Sequence, residues 1–123
     1  LLDESEPFRT LLLRYAMAHT TQVSLIAACN VRHSVEQRLG RWMLMAHDRA
    51  EADQFSMTHD QLSVILGVRR AGITVAVGAL QRAGAIRSGG GRVTVLSRRA
   101  LTEAACECYA SVKREYTRLL RCR

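Results

Sequence analysis

No stretch of the 123 residues approaches the run of about 20 apolar side chains that crosses a bilayer. The opening Leu1-Leu2-Asp3-Glu4-Ser5-Glu6 is acidic and lacks the basic flank and cleavage pattern of a secretory signal. An initiating Met is also missing, which suggests a fragment of something longer. Without membrane or export segments, a cytoplasmic protein with reduced thiols is expected. Its four cysteines, Cys29, Cys106, Cys108 and Cys122, show no Cys-x-x-Cys spacing, and no His pair sits at ligand spacing beside them. Cys106 and Cys108, two apart, would point to different sides of a helix. They read as buried small hydrophobes, with no metal site and no cofactor. Catalytic constellations are absent too. His19, His33, His47 and His59 are dispersed, and no Ser–His–Asp, Cys–His or paired-carboxylate arrangement stands out, so no enzyme is expected.

Lysine and, over one long stretch, negative charge are nearly missing as well. Of 18 basic residues only Lys113 is lysine; the rest are arginine, against 11 acidic residues. Residues 1–53 carry six Arg against seven Asp or Glu, a net of −1, while residues 54–123 carry twelve basic against four acidic, a net of +8. Between Asp60 and Glu103 there is no carboxylate, and Arg69, Arg70, Arg82, Arg87, Arg92, Arg98 and Arg99 fall there. A basic block inside a folded segment points to a polyanion, nucleic acid first. On charge alone, a merely solvated Arg-rich surface stays open. The rest of the composition, 48% apolar and 24% charged, is that of one globular domain with a real core.

Apolar spacing supplies the organisation. Ser5 as a cap and Pro7 in the first turn open a helix to about Cys29. Phe8, Leu11/Leu12, Tyr15, Ala18, Gln22, Leu25/Ile26 and Cys29 recur at three and four residues, close to a heptad. That stripe is expected to be a dimer seam; packing back on its own domain is the alternative, because His19 and Gln22 interrupt it. Asn30 is expected to cap a second helix to about Arg49, with Val35, Leu39, Trp42, Met43 and Ala46 on its core face. A polar loop over 50–54 and a short strand over 55–57 follow.

Thr58-His59-Asp60-Gln61 has the form of a capping box. A short helix carrying Leu62, Ile65 and Leu66 stops at Gly67 in a left-handed conformation. Val68 is expected to be buried in the turn, and a second helix begins near Arg69 with Ile73, Ala76, Val77 and Leu80 on one face, ending at Gly84. Ser63, Gly67, Val68 and Ile73 have the spacing of a helix-turn-helix. The outer side of the second helix holds Arg70, Ala71, Thr74, Val75 and Gly78, short enough beside Arg69 and Arg70 for close approach to base edges. A purely structural helix pair is the alternative, which the carboxylate-free surroundings disfavour.

Residues 85–88 and 92–96, two β-rich runs around Gly89-Gly90-Gly91, read as a hairpin placed as a wing. No Gly-Lys-Ser/Thr follows, so the glycines are not a phosphate loop. Arg87 and Arg92 flank the tip and would reach phosphates. Ser97 then caps a C-terminal helix over about 98–121 with Leu101, Ala105, Cys108, Val112, Tyr116 and Leu119 on one side. Arg98 and Arg99 in its first turn oppose the helix dipole, which suggests an anion such as a phosphate nearby, or simple exposure to solvent.

The run "CNVRHSVEQRLGRWMLMAHDR" followed by "FSMTHDQLSVILGVRRAGITVAVGALQRAGAIRSGGGRVTVLSRRAL" resembles the C-terminal half of Crp/Fnr-type bacterial transcription regulators. The resemblance covers about Ser5 to Tyr109, and 38–99 is its specific part. It implies a mainly α fold with a small β-hairpin wing: a dimerisation helix over 1–29, then a winged helix-turn-helix over 30–123, with the helix-turn-helix at about 58–83 and the wing at about 85–96. It implies double-stranded DNA as partner, a homodimer through the first helix, and RNA polymerase as a further partner. By position, Arg69 to Val75 would be the base- and phosphate-facing start of the recognition helix, with Arg70 reading guanine and Ala71 and Thr74 making short contacts. Thr58, His59 and Asp60 would meet the backbone, Gly90 to Arg92 would lie beside it, and Arg87, Arg92 and Arg98 would attract phosphates. Two departures stand out. Ala71 and Val75 replace the Glu and second Arg of the cyclic-AMP receptor's recognition pattern, so its target cannot be copied, and Arg69 stands where a capping Ser is common. The family's N-terminal sensor β-roll has no room in this chain, so no cyclic nucleotide, haem or iron–sulfur cluster is assigned. The alternative is a winged-helix protein–protein interaction module.

Overall fold

Ser34, not Asn30, opens the second helix. In the computed structural model, which describes residues 6–120, α1 (Glu6–Arg32) runs on past Asn30 before α2 (Val35–Ala50) begins. The His33 amide still bonds to the Cys29 carbonyl at 2.9 Å, so Asn30 lies within a continuing helical turn. Ser34 leaves the helix at φ −69° and ψ 163°. Its Oγ accepts from the Gln37 amide at 3.2 Å, and Gln37 Oε1 accepts from the Ser34 amide at 3.0 Å. A complete Ser-x-x-Gln box satisfies two free amides, which a lone Asn cannot match. The expected Ser5 cap lies outside the described residues.

The chain continues through β1 (Gln54–Ser56), α3 (His59–Leu66), α4 (Arg70–Arg82), β2 (Ile86–Gly89), β3 (Arg92–Val95), α5 (Arg98–Ala104) and α6 (Cys108–Leu120). The expected short strand is β1, which pairs antiparallel with β3 and gives the sheet order β1-β3-β2. Phe55 lies opposite Val93, and Ile86 opposite Val95. Gly90 and Gly91 form the two-residue hairpin turn with φ of 60° and 73°, the type I′ geometry that matches strand twist and suits glycine. The core joins Leu39, Met43 and Leu44 of α2 to Leu62 and Leu66, to Ile73, Val77 and Leu80, and to Ile86, Val93 and Leu101. Trp42 sits at its margin, edge-to-face with Phe55 at 6.4 Å.

The helix-turn-helix forms as its local signals predict. Thr58 Oγ1 accepts from the Gln61 amide at 3.1 Å, and Gln61 Oε1 accepts from the Thr58 amide at 2.8 Å. Gly67 takes φ 68°, and the Val68 amide closes back on the Ser63 carbonyl. Val68 is half-buried against the core. The chain bends by 106° between α3 and α4, within the usual range of about 90–120°. The buried Arg38 guanidinium donates to the Leu66 carbonyl and so satisfies the end of α3.

The expected single C-terminal helix is two. Ala105 turns extended (φ −76°, ψ 159°) after α5, and α6 then lies along α1. Gly40 lies against the break. A Cβ there would stand 3.0 Å from the Ala105 Cα, so the bare backbone of α2 meets the chain where α5 ends. The apolar spacing of Leu101, Ala105, Cys108 and Val112 runs straight through this bend, which is why periodicity did not reveal it. Of α1 only Ala18 and Cys29 are buried, while Leu11, Leu12, Leu13, Tyr15, Met17 and Val23 stay exposed.

Candidate nucleic-acid interface

The start of α3, the outer face of α4 and the hairpin enclose a groove of about 600 Å³. His59, in the first turn of α3, is its hub: Nδ1 lies 3.2 Å from Thr74 Oγ1 on α4, and Nε2 lies 3.5 Å from Ser88 Oγ on β2. The wing is tied on at two more points. Gln81 Oε1 accepts from the Ser88 amide at 2.9 Å, and the Gly91 carbonyl accepts from the Met57 amide at 2.8 Å. The tip itself needs glycine for its positive φ at Gly90 and Gly91, not for room, since a Cβ on Gly91 would make an ordinary 3.6 Å contact with the Thr58 methyl. Neither Gln81 nor Ser88 was anticipated as part of the site. Gln81 stands seven residues beyond Thr74, two helical turns along the same face, and that spacing was its available signal.

Arg69, Arg70, Ala71, Thr74 and Val75 are all exposed at the start of α4 and along its outer face. Arg69 caps by backbone geometry alone, with no side-chain bond, which leaves its guanidinium uncommitted to the cap. Arg70 Nε lies 3.5 Å from Asp60 Oδ1, an exposed pair of the kind worth about 0–1 kcal/mol and easily exchanged. Asp60 is the one carboxylate among the described residues that line the groove. Arg87 and Arg92 are exposed on the two wing strands, and Thr58 and His59 sit at the mouth of α3. The groove is a concave surface lined by Arg70, Asp60, His59 with its two hydroxyl neighbours, and the glycine backbone of the wing, while Arg69, Ala71, Val75, Arg87 and Arg92 are exposed outside that lining.

Residues 37–104 match the Crp-like helix-turn-helix domain. The chain belongs to that family. A solved structure from Eubacterium rectale, assigned as a transcriptional regulator of the Crp/Fnr family, shares the fold with a TM-score of 0.67 at 18% identity. The match covers 84% of this chain and 48% of the other, so the chain spans about half the length of that relative. No curated protein matches significantly. The family is that of a Crp-like helix-turn-helix domain, and the shared fold is a winged helix-turn-helix. No single described helix is long and apolar enough to cross a membrane.

Of the predicted arginines only Arg70 lines the groove; Arg69, Arg87 and Arg92 are exposed outside it. Arg98 is bound elsewhere in the domain. Its Nη2 meets Asp48 Oδ1 at 2.7 Å and donates to the Tyr109 hydroxyl at 2.6 Å, while its Nη1 donates to His47 Nδ1 at 2.8 Å. His47 Nε2 then faces Asp53 at 2.8 Å, and Tyr109 donates to Asp48 Oδ2 at 2.5 Å. The anion beside this helix start is Asp48, fifty residues away in sequence. Burial first, and then the Asp48 hydrogen bond, push the Tyr109 phenol above its ordinary pKa. Arg99 pairs loosely with Glu103 at 3.4 Å on the exposed side of α5.

The cysteines are a second correction. Cys106 falls in the break between α5 and α6 and Cys108 opens α6, so they do not diverge on one helix. Both turn toward Cys29 and His33 at the end of α1. The Cys-x-x-x-His spacing of Cys29 and His33, one helical turn, was the signal available for this meeting. Cys122 lies outside the described residues.

Proposed function

We propose that this domain binds double-stranded DNA sequence-specifically as a homodimer, with the start of α4 in the major groove of each half-site. The observation that carries the reading is the groove itself. Arg69 and Arg70 open the exposed face of α4, Arg87 and Arg92 flank the wing, and Asp60 alone offers negative charge in the lining. Short side chains at Ala71, Thr74 and Gly78 leave α4 slim enough to approach base edges, where Arg70 would read guanine bidentately. Arg69, Arg87 and Arg92 would hold phosphates, with Thr58, His59 and the Gly90–Gly91 backbone beside them. Val75, 69% exposed, offers a methyl contact of the kind that suits thymine. Arg98 is left out of this set because Asp48 and Tyr109 occupy it.

Dimerisation is proposed through the exposed apolar face of α1, where Leu11, Leu12 and Tyr15 are each 42–52% exposed. A bacterial cytoplasm is the proposed setting, with RNA polymerase a further partner of the assembled regulator. Selection of bound sites from a random duplex pool, followed by a salt titration on the winning site, tests the reading. Three phosphate-binding arginines in each of two subunits give an expected slope of about −5 in log K against log salt. Half-sites should lie about one helical turn apart. No enriched sequence, and no duplex binding at low salt, would refute the reading and favour a protein-binding winged helix.

A further inference from the structure

Two distant parts of the chain bring four soft donors together under the end of α1. Cys29 Sγ lies 3.3 Å from Cys106 Sγ. His33 Nδ1 lies 3.4 Å from Cys29 Sγ and 3.6 Å from Cys108 Sγ. All four donor atoms fall within 4.8 Å of one another. The three thiols are buried and unbridged, and the imidazole is half-buried.

From this geometry we propose that Cys29, His33, Cys106 and Cys108 form a structural zinc site, with His33 binding through Nδ1. Zinc–sulfur bonds of about 2.3 Å and a zinc–nitrogen bond of about 2.0–2.1 Å place tetrahedral sulfur pairs about 3.8 Å apart and sulfur–nitrogen pairs about 3.6 Å apart. The observed spacings need shifts of half an ångström or less at the three pairs given above. Three thiolates and one imidazole are a donor set that suits Zn²⁺, and four protein ligands close the site to substrate, as in structural centres.

Two neighbours fit the same assignment. His33 Nε2 faces Glu107 Oε1 at 3.3 Å, so a carboxylate accepts from the far side of the ring and leaves Nδ1 free as a ligand. Arg41 is 3% exposed, has no ion pair among the described residues, and bonds only to Met45 Sδ at 3.9 Å, its Nε unpartnered. A Zn²⁺ ion with three thiolates carries a net charge of −1, which would balance this buried cation. Packing of small hydrophobes accounts for the buried thiols. It does not account for an imidazole nitrogen turned into them with a carboxylate behind it. Binding converts three thiols to thiolates and releases three protons to solvent, with no change of oxidation state. The centre would clip the end of α1 to the α5–α6 junction.

The test is metal analysis of the untagged 123-residue chain purified without chelator, with one zinc per chain expected. The reduced, zinc-free chain titrated with Co²⁺ should develop the visible bands of a tetrahedral thiolate site, and added Zn²⁺ should erase them. Cys106→Ser should lose these bands. Because that variant can also fail to fold, Glu107→Gln is the second: it keeps all four ligands, so one metal per chain should remain while affinity falls about 10–100-fold. A folded, reduced chain that takes up neither Zn²⁺ nor Co²⁺ overturns the proposal. So does iron with sulfide in place of zinc, or a Co²⁺ spectrum unchanged in Cys106→Ser. The metal readout needs no DNA and stands apart from the DNA-binding proposal.

Discussion

Replacing Gly40 with alanine should destabilise the domain, although the same change in an open helix stabilises. The new Cβ would stand 3.0 Å from Ala105 Cα, 3.1 Å from Ala105 N and 3.2 Å from Ala105 Cβ. Comfortable carbon contacts begin near 3.5 Å. Two of the three obstructing atoms are backbone, so relief requires α2 and the end of α5 to separate by about half an ångström. Overpacking of this kind costs about 1–3 kcal/mol. Alanine's helix propensity returns about 0.8–1.0 kcal/mol. The net expectation is a loss of about 0–2 kcal/mol. Gly78 in α4 is the control, because its Cβ would meet only the mobile tip of Arg82 at 3.3 Å. There the propensity gain should survive nearly whole. Urea unfolding of both variants, compared at equal m-value, should separate them by about 1–3 kcal/mol in opposite directions around wild type. Equal stabilisation in the two would refute the reasoning that α2 meets the α5–α6 break too closely at Gly40 for a side chain.

Three further outcomes are expected. Arg70→Ala should weaken binding to the selected site by about 1–3 kcal/mol and relax preference at one base position per half-site; unchanged selectivity on a randomised panel would remove Arg70 from base readout. Arg92→Ala should weaken all duplexes alike and reduce the salt slope of the dimer by about 2, measured by anisotropy over a salt series. Tyr109→Phe bears on pH. The folded phenol keeps its proton to higher pH than the unfolded one, so its stabilising contribution is complete below about pH 10 and is lost as pH rises through the raised folded value. The variant should therefore lose less stability than wild type between neutral pH and alkaline conditions in parallel thermal melts.

What could be read without coordinates was whatever the chain states within a few residues. Thr58 with Gln61, and Gly67 after Leu66, each specify a backbone event through neighbours three or four positions away, and α3, its turn and α4 follow them. The wing strands and Gly90–Gly91 are legible for the same reason. Asn30 failed as a helix start because two local signals competed and Ser34 had the fuller one. Arg98 looked like an unpartnered cation because Asp48 comes from α2. The bend at Ala105 packs against Gly40, sixty-five positions earlier, and leaves no mark in the apolar spacing. The thiol–imidazole cluster is hidden for both reasons at once, since its halves lie 77 residues apart and the apolar spacing runs unbroken through one of them.

The glycine tip of the hairpin has a consequence for how a protein of this kind could change its target. With only main chain at Gly90 and Gly91, the tip can offer amides to any sugar-phosphate strand, and it carries no chemical identity by which one base pair could be told from another. In the proposed complex, grip and vocabulary are thus held by separate parts: the wing supplies sequence-blind adhesion, and the exposed side chains of α4 alone spell the site. Substitutions at Ala71, Thr74 or Val75 could rewrite the preferred word while the hold on the duplex stayed as it was.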